Sequence, residues 1–206
     1  GGLTPDNLDR LDELAARGVV GFKAFMANSG IPAFRAADEA TLRAGMATAA
    51  RLGLPVALHA EDEATCAELA TAAQTAGGAS WRDWVASRPV QAEATAIERA
   101  VALAAETGCA LHVVHVSSAD GVALVARARR RGVDVSCETC PHYLVLDEDD
   151  LSTIGAAAKC APPLRSAAHR EALWSALAAG AIQTAGSDHP PAPPSIPFSK
   201  ASRTTS

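Results

Sequence analysis

Gly108-Cys-Ala-Leu-His-Val-Val-His-Val-Ser-Ser118 is the stretch on which the fold turns. Gly108 suits a helix stop, Ala110 to Val116 is a short run of apolar strand formers, and Ser118 suits a helix cap. A helix, a buried strand and a second helix therefore follow one another with no room for a hairpin. Upstream, Thr95-Ala-Ile-Glu98 reads as a capping box before Ile97, Val101 and Ala104. Downstream, Val122 and Val125 line a helix that runs to Gly132.

The same unit recurs outward in both directions. Thr4-Pro5-Asp6 opens a helix carrying Leu8, Leu11 and Leu14 to Gly18, and residues 19–26 read as a strand buried on both faces with Lys23 as its anomaly. Asp38 opens a helix with Leu42, Met46 and Ala49 on its buried stripe, Gly53 stops it, and residues 55–59 form the next strand. Val133 to Cys137 is a fourth strand, and Ala181 to Ser187 a fifth, after a helix around Leu173 and Leu177. Five strands alternating with helices give an α/β protein with a parallel sheet, either open and doubly wound or closed as a barrel. Two stretches break the rhythm: Gly77 to Pro89, a long connection with its own short helix around Trp81 and Trp84, and the proline-rich run 190–194 with the tail that follows.

The 206 residues carry 18 basic and 23 acidic side chains, well interspersed. No basic stripe points to nucleic acid and no polybasic or bilayer-length apolar run points to a membrane, so a small-molecule substrate and a cytoplasmic location are expected. Five cysteines do not make a disulfide framework in a chain of this size, and reduced thiols are expected. Cys137 and Cys140 match a CxxC spacing, but an offset of three along a strand puts them on opposite faces. Neither a P-loop nor a dinucleotide fingerprint occurs.

Polar residues gather at the C-terminal ends of the strands, where parallel α/β proteins place their chemistry. These are Lys23, His59 with Glu61, His115, Glu138, and Asp188 with His189. Alternation along the third strand sends His112 and His115 to opposite faces, and His115, nearer the C-terminal end, is taken as the one facing the site. Asp188 shares a face with Gly186 and Thr184 by the same parity. Imidazole and carboxylate together suit zinc, while an inward ammonium must be paired, deprotonated or modified. Reaction of the neutral Lys23 amine with carbon dioxide would give a carbamate, an anion able to bridge two metals. Each residue also has an ordinary reading: a snorkelling lysine, core histidines, and a Ser-Asp-His turn at a helix entrance.

Gly21-Phe-Lys23-Ala-Phe25, His59-Ala-Glu61, Leu111-His-Val-Val-His115-Val-Ser-Ser118 and Ser187-Asp188-His189 occur in an order that resembles the cyclic amidohydrolases, the group of allantoinase, dihydropyrimidinase and dihydroorotase. Ala86-Ser-Arg-Pro89, Cys137-Glu-Thr-Cys-Pro-His-Tyr143 and Lys159-Cys-Ala-Pro-Pro-Leu-Arg165 extend the likeness, which is greatest to allantoinase and runs from Gly1 to about Pro194. The resemblance implies a metal-dependent (β/α)₈ TIM barrel with two divalent ions, zinc by expectation, bridged by a carboxylated Lys23. By the same resemblance His59 and His115 are ligands of one metal, and Asp188 is both the last ligand and the residue that moves the proton. It implies attack of an activated hydroxide on a ring carbonyl, with Asp188 passing the proton to the leaving amide nitrogen. Allantoin is the implied substrate and allantoate the product. Cys160 and Ala161 match a segment that meets substrate chiefly through its backbone, and full-length relatives are expected to be tetramers.

Two departures qualify that expectation. Family members carry a His-x-His pair on the first barrel strand, and no such pair occurs in this chain. Its strands correspond to the fourth to eighth of the barrel, so residues 1–194 are expected to be a partial barrel domain and 195–206 a divergent, disordered tail. Weak metal binding and poor or no turnover of allantoin are expected of this polypeptide alone. Unpaired sheet edges are expected to favour aggregation or complementation by another chain. The rival expectations are dihydropyrimidinase or dihydroorotase activity, and a non-catalytic scaffold of the same fold.

Overall fold

In a computed structural model that describes residues 1–188, five strands form one parallel sheet. They are β1 (Phe22–Phe25), β2 (Val56–His59), β3 (Leu111–Val113), β4 (Val135–Thr139) and β5 (Thr184–Ala185), hydrogen-bonded in the order β1-β2-β3-β4-β5. The helices are α1 (Leu11–Ala16), α2 (Glu39–Leu52), α3 (Glu63–Thr75), α4 (Trp81–Ala86), α5 (Val90–Thr107), α6 (Ala119–Arg130), α7 (Pro141–Val145), α8 (Leu151–Ile154) and α9 (Ala167–Ala178). Around the sheet α1 packs on α2, α2 on α5, α5 on α6 and α6 on α9.

A doubly wound sheet reverses its strand order at a switch point, and its helices divide between two faces. Here every strand lies beside its sequence neighbour and the helices follow one another in a single layer, the arrangement of an arc of a (β/α)₈ barrel. The outer edge of β1 also carries residues 1–3. Lys23 N donates to Gly1 O at 2.7 Å and Leu3 N to Lys23 O at 2.8 Å, as in a parallel ladder.

Local chemistry sets most of the boundaries. Asp38 Oδ1 accepts from Thr41 N at 2.8 Å to start α2, and Gly53 closes it at φ 68°, which glycine adopts without a Cβ clash. Ser80 and Asp83 form the capping box of α4, and Ser118 Oγ accepts from Gly121 N at 3.1 Å to start α6. Three sequence expectations fail. Asn7 Oδ1, not the Thr4 side chain, organises the first turn by accepting from Thr4 N at 2.9 Å, and α1 begins only at Leu11 after a short 3₁₀ turn. Helix α5 starts directly after Pro89, so Thr95 and Glu98 lie inside it rather than at its cap. Helix α3 was not expected at all: it is alanine-rich and buries only Cys66, so it has no apolar stripe to detect.

Alternation along the strands separates two faces. Phe22, Ala24, Val56, Leu58, Leu111, Val113, Val135 and Cys137 are buried against the helices. Lys23, Phe25, Ala57, His112, Ser136 and Glu138 lie on the other face and are only half-buried, so β1 is not covered equally on both sides. The register aligns Lys23, Ala57, His112 and Ser136 in one row across four strands. All five cysteines are free, with Cys137 and Cys140 both buried. Among the described residues no helix is long and apolar enough to cross a membrane. His189, the proline-rich run and the tail lie outside the described residues.

Candidate functional site

At the C-terminal end of β2, His59 ends the strand and its side chain is buried. Its Nε2 lies 2.9 Å from Glu61 Oε2, so the carboxylate holds the proton on that nitrogen and leaves the Nδ1 lone pair free. That Nδ1 faces His115 Nε2 at 3.2 Å. Glu61 has no exposed side-chain surface and is also paired with Arg88. Burial alone would raise its pKa, but the hydrogen bond from His59 and the charges of Arg88, His59 and Arg165 outweigh it and hold the carboxyl below its ordinary range.

His115 lies beyond the last paired residue of β3, at φ 42°. The left-handed backbone ends the strand's alternation there, so parity along β3 does not decide where its side chain points. His112, expected to face away from the site, is in the same row as Lys23. Its Nδ1 is 2.8 Å from Ser136 Oγ and its Nε2 is 3.4 Å from Glu138 Oε2. Burial, followed by the neighbouring His59 and Lys23, holds the His115 imidazole well below its ordinary pKa of 6.5, so it is neutral at pH 7.

Lys23 projects from β1 with its ammonium 4.8 Å from the centre of the Phe25 ring. Burial lowers its pKa to about 8, against the opposing pull of Asp188 and Glu138, so these carboxylates are electrostatic neighbours of the amine. Asp188 follows β5, exposed and at φ 43°. Its parity with Gly186 and Thr184 does not carry through, since β5 pairs only over Thr184–Ala185. Of the described non-glycine residues, His115 and Asp188 are the two with positive φ, and strained backbone of this kind concentrates where a side chain must be aimed.

The predicted segment 160–161 sits at the same end of the sheet. Trp84 Nε1 donates to Cys160 O at 3.2 Å, and Tyr143 Oη donates to Pro162 O at 2.6 Å. Burial pushes the Cys160 thiol up to about 11, with Glu61 and Arg165 among the charges that act on it.

Four residues that hold this arrangement went without a role in the sequence reading: Arg88, Glu93, Ser117 and Arg165. Glu93 is buried in the first turn of α5 and accepts from Ser117 N at 2.8 Å, Ser117 Oγ at 2.9 Å and Ser118 Oγ. It thereby grips the loop that carries His115. Arg165 Nε donates to Ser117 Oγ at 2.9 Å. Arg88 and Arg165 stand in motifs whose likeness was seen without its physical reason, and Glu93 was hidden by the misplaced start of α5.

The donor set fits a divalent ion in part. Two nitrogens that share a tetrahedral zinc at about 2.05 Å stand about 3.3 Å apart, close to the separation of the two imidazoles. A carboxylate behind one imidazole and a neutral second imidazole are further requirements that are met. Among the described residues no three His, Cys, Asp or Glu side chains converge at ligating distance.

Similarity to known proteins is extensive. The chain is 56% identical over 196 residues to an allantoinase of Rubrobacter xylanophilus, covering 95% of this chain and 43% of that protein. It is 52% identical over 200 residues to an allantoinase of Deinococcus radiodurans, covering 97% of this chain and 45% of that protein. Among solved structures, an L-hydantoinase (dihydropyrimidinase) from Arthrobacter aurescens superposes with a TM-score of 0.89 at 42% identity, over 92% of this chain and 42% of that one. A D-hydantoinase superposes with a TM-score of 0.83 at 38% identity, over 91% of this chain and 41% of that one. No protein-family profile matches. The chain spans somewhat under half the length of these relatives.

Proposed function

Since the chain belongs to the cyclic amidohydrolase family and is 52–56% identical to allantoinases over nearly all of its length, we propose that it carries part of the machinery for hydrolysing the ring amide of allantoin to allantoate. The observation that bears most weight is the facing pair of His59 Nδ1 and His115 Nε2, backed by Glu61, at the C-terminal ends of adjacent strands. In this reading His59 and His115 hold one divalent ion, zinc by its chemistry, and Lys23 and Asp188 complete the set. Divalent ions bound there would acidify a water and polarise the ring carbonyl.

The chain's own residues act around that chemistry. A Lys23 pKa of about 8 leaves part of the amine neutral near pH 7.5. The neutral amine attacks carbon dioxide, forms an N–C bond and releases one proton, and the resulting carbamate anion can bridge two metals. Asp188, exposed at the mouth, accepts the proton of the attacking water and delivers it to the departing ring nitrogen. Glu61 keeps the His59 tautomer correct, and Glu93 fixes the loop after His115. The Cys160–Ala161 backbone offers hydrogen bonds to the ring. The described residues 1–188 form one partial barrel domain in this proposal, and the family's oligomeric assembly is taken to be the tetramer.

The test is allantoin consumption and allantoate formation by zinc-loaded protein, run beside hydantoin, dihydrouracil and dihydroorotate. Turnover of allantoin above the others supports the proposal. Turnover of hydantoin or dihydrouracil alone would favour the second reading, which the structural likeness to hydantoinases supports. Zinc bound at the histidines without turnover of any ring would favour a scaffold role. The chain contains no His-x-His pair, so turnover well below that of the relatives is the expected level for this polypeptide by itself.

A further inference from the structure

Arg88 is where two parts of the site, distant in sequence, meet. Its Nη1 donates to Glu61 Oε2, and Glu61 in turn holds His59 Nε2 at 2.9 Å. The same guanidinium lies 4.5 Å from the centre of the Trp84 ring, whose Nε1 holds the carbonyl of Cys160 at 3.2 Å. The carbonyl of Arg88 accepts from Arg165 Nη1, and Arg165 Nε reaches Ser117 Oγ at 2.9 Å. One residue is thus tied by its side chain to the Glu61 carboxylate behind His59 and, through Trp84, to the start of the 160–165 segment, and by its main chain to the end of that segment. Its side chain is only 15% exposed, so these contacts are shielded from competing water.

We propose that Arg88 is a positioning residue that couples the 160–165 segment to the orientation of His59, so that occupancy at the histidines is felt at Cys160. The coupling depends on the shape of guanidinium. A planar guanidinium can donate from its edge to a carboxylate while resting against an indole, whereas an ammonium is a point charge on a flexible stem and fixes the two partners less firmly relative to each other. A hydrogen bond then leads from the guanidinium to Glu61, and a cation–π contact leads through Trp84, whose N–H holds the Cys160 carbonyl. The inference rests on the metal reading for one of its two measurements, and the other stands without it.

Cys160 provides the probe, because it is the one cysteine of five that keeps partial exposure; since burial raises its thiol pKa to about 11, labelling is run at mildly alkaline pH. Iodoacetamide labelling of Cys160, located by mass spectrometry, is followed with and without saturating zinc, whose affinity is measured by calorimetry. In the unaltered protein zinc is expected to slow labelling several-fold. Arg88→Lys is expected to label several-fold faster without zinc, to bind zinc about 10-fold more weakly, and to lose the effect of saturating zinc on labelling. A zinc effect in Arg88→Lys equal to that in the unaltered protein would overturn the coupling. If the unaltered protein binds no zinc, the metal reading fails, and zinc-free labelling still decides whether Arg88 holds the segment. Should Arg88→Lys not fold, Trp84→Phe keeps the ring for stacking and removes the N–H to Cys160. Unchanged zinc-free labelling in that variant would overturn the proposal.

Discussion

His59 Nδ1 and His115 Nε2 face each other at 3.2 Å, although His59 ends β2 and His115 lies in the loop beyond β3. Without an ion between them, one nitrogen must donate to the other; with an ion, both donate lone pairs to it. Zinc is therefore expected to bind the unaltered protein, and His59→Ala or His115→Ala to weaken that binding by about 100-fold or more. Calorimetric titration with zinc alone checks this, and equal affinity in all three proteins would remove the pair from the site.

The neutral state of His115 has a consequence for acid stability. Its folded pKa lies well below 6.5, so below pH 6.5 the unfolded chain binds a proton that the folded chain refuses, and stability falls with pH. His142, also lowered by burial, acts in the same direction. Urea unfolding in zinc-free buffer is expected to show a loss on the order of 1 kcal/mol more for the unaltered protein than for His115→Gln between pH 7.5 and 5.5.

Lys23 is expected to cost stability. Its pKa of about 8 against the ordinary 10.5 means that its ammonium is disfavoured in the fold at neutral pH. Lys23→Met is expected to be more stable at pH 7 by on the order of 1–2 kcal/mol, less than the full shift implies because the ammonium keeps partial access to water. The advantage shrinks as pH rises from about 8 to 10.5, where the unfolded lysine also loses its proton. Thermal melts across that range measure it, and a destabilised variant at pH 7 would contradict the argument.

Glycine relieves a left-handed backbone, and Asp188 stands at φ 43°. Asp188→Gly is expected to change unfolding stability by less than about 1 kcal/mol in either direction, and to abolish whatever allantoin turnover the unaltered protein has. A loss of stability larger than that would make Asp188 a structural residue first.

Strand number and order were legible because each strand is a short apolar run between a glycine stop and a polar cap, as at Gly53 and Ser118. Helix α3 was illegible because it buries almost nothing, and the start of α5 was missed because Pro89 alone marks it. The candidate ligands stood out as polar residues closing apolar strands. Most of what holds them did not: Arg88, Glu93 and Arg165 act through contacts 24 to 77 residues apart, and no local pattern encodes such pairings. Parity along β3 misled for His112 alone: His115 does meet His59, but the left-handed backbone at His115 breaks the alternation that would have sent His112 to the other face.

Since every strand pairs only with its neighbours in sequence, a chain growing from its N-terminal side adds each strand to an edge that is already complete. Within residues 1–188 sheet assembly can then keep pace with synthesis, one unit at a time, each of β2 to β5 joining a neighbour already made. The chemistry follows a different schedule. Lys23 emerges with the first of these five strands, while Asp188 arrives only behind the fifth, so most of the sheet described here is made before both residues are present.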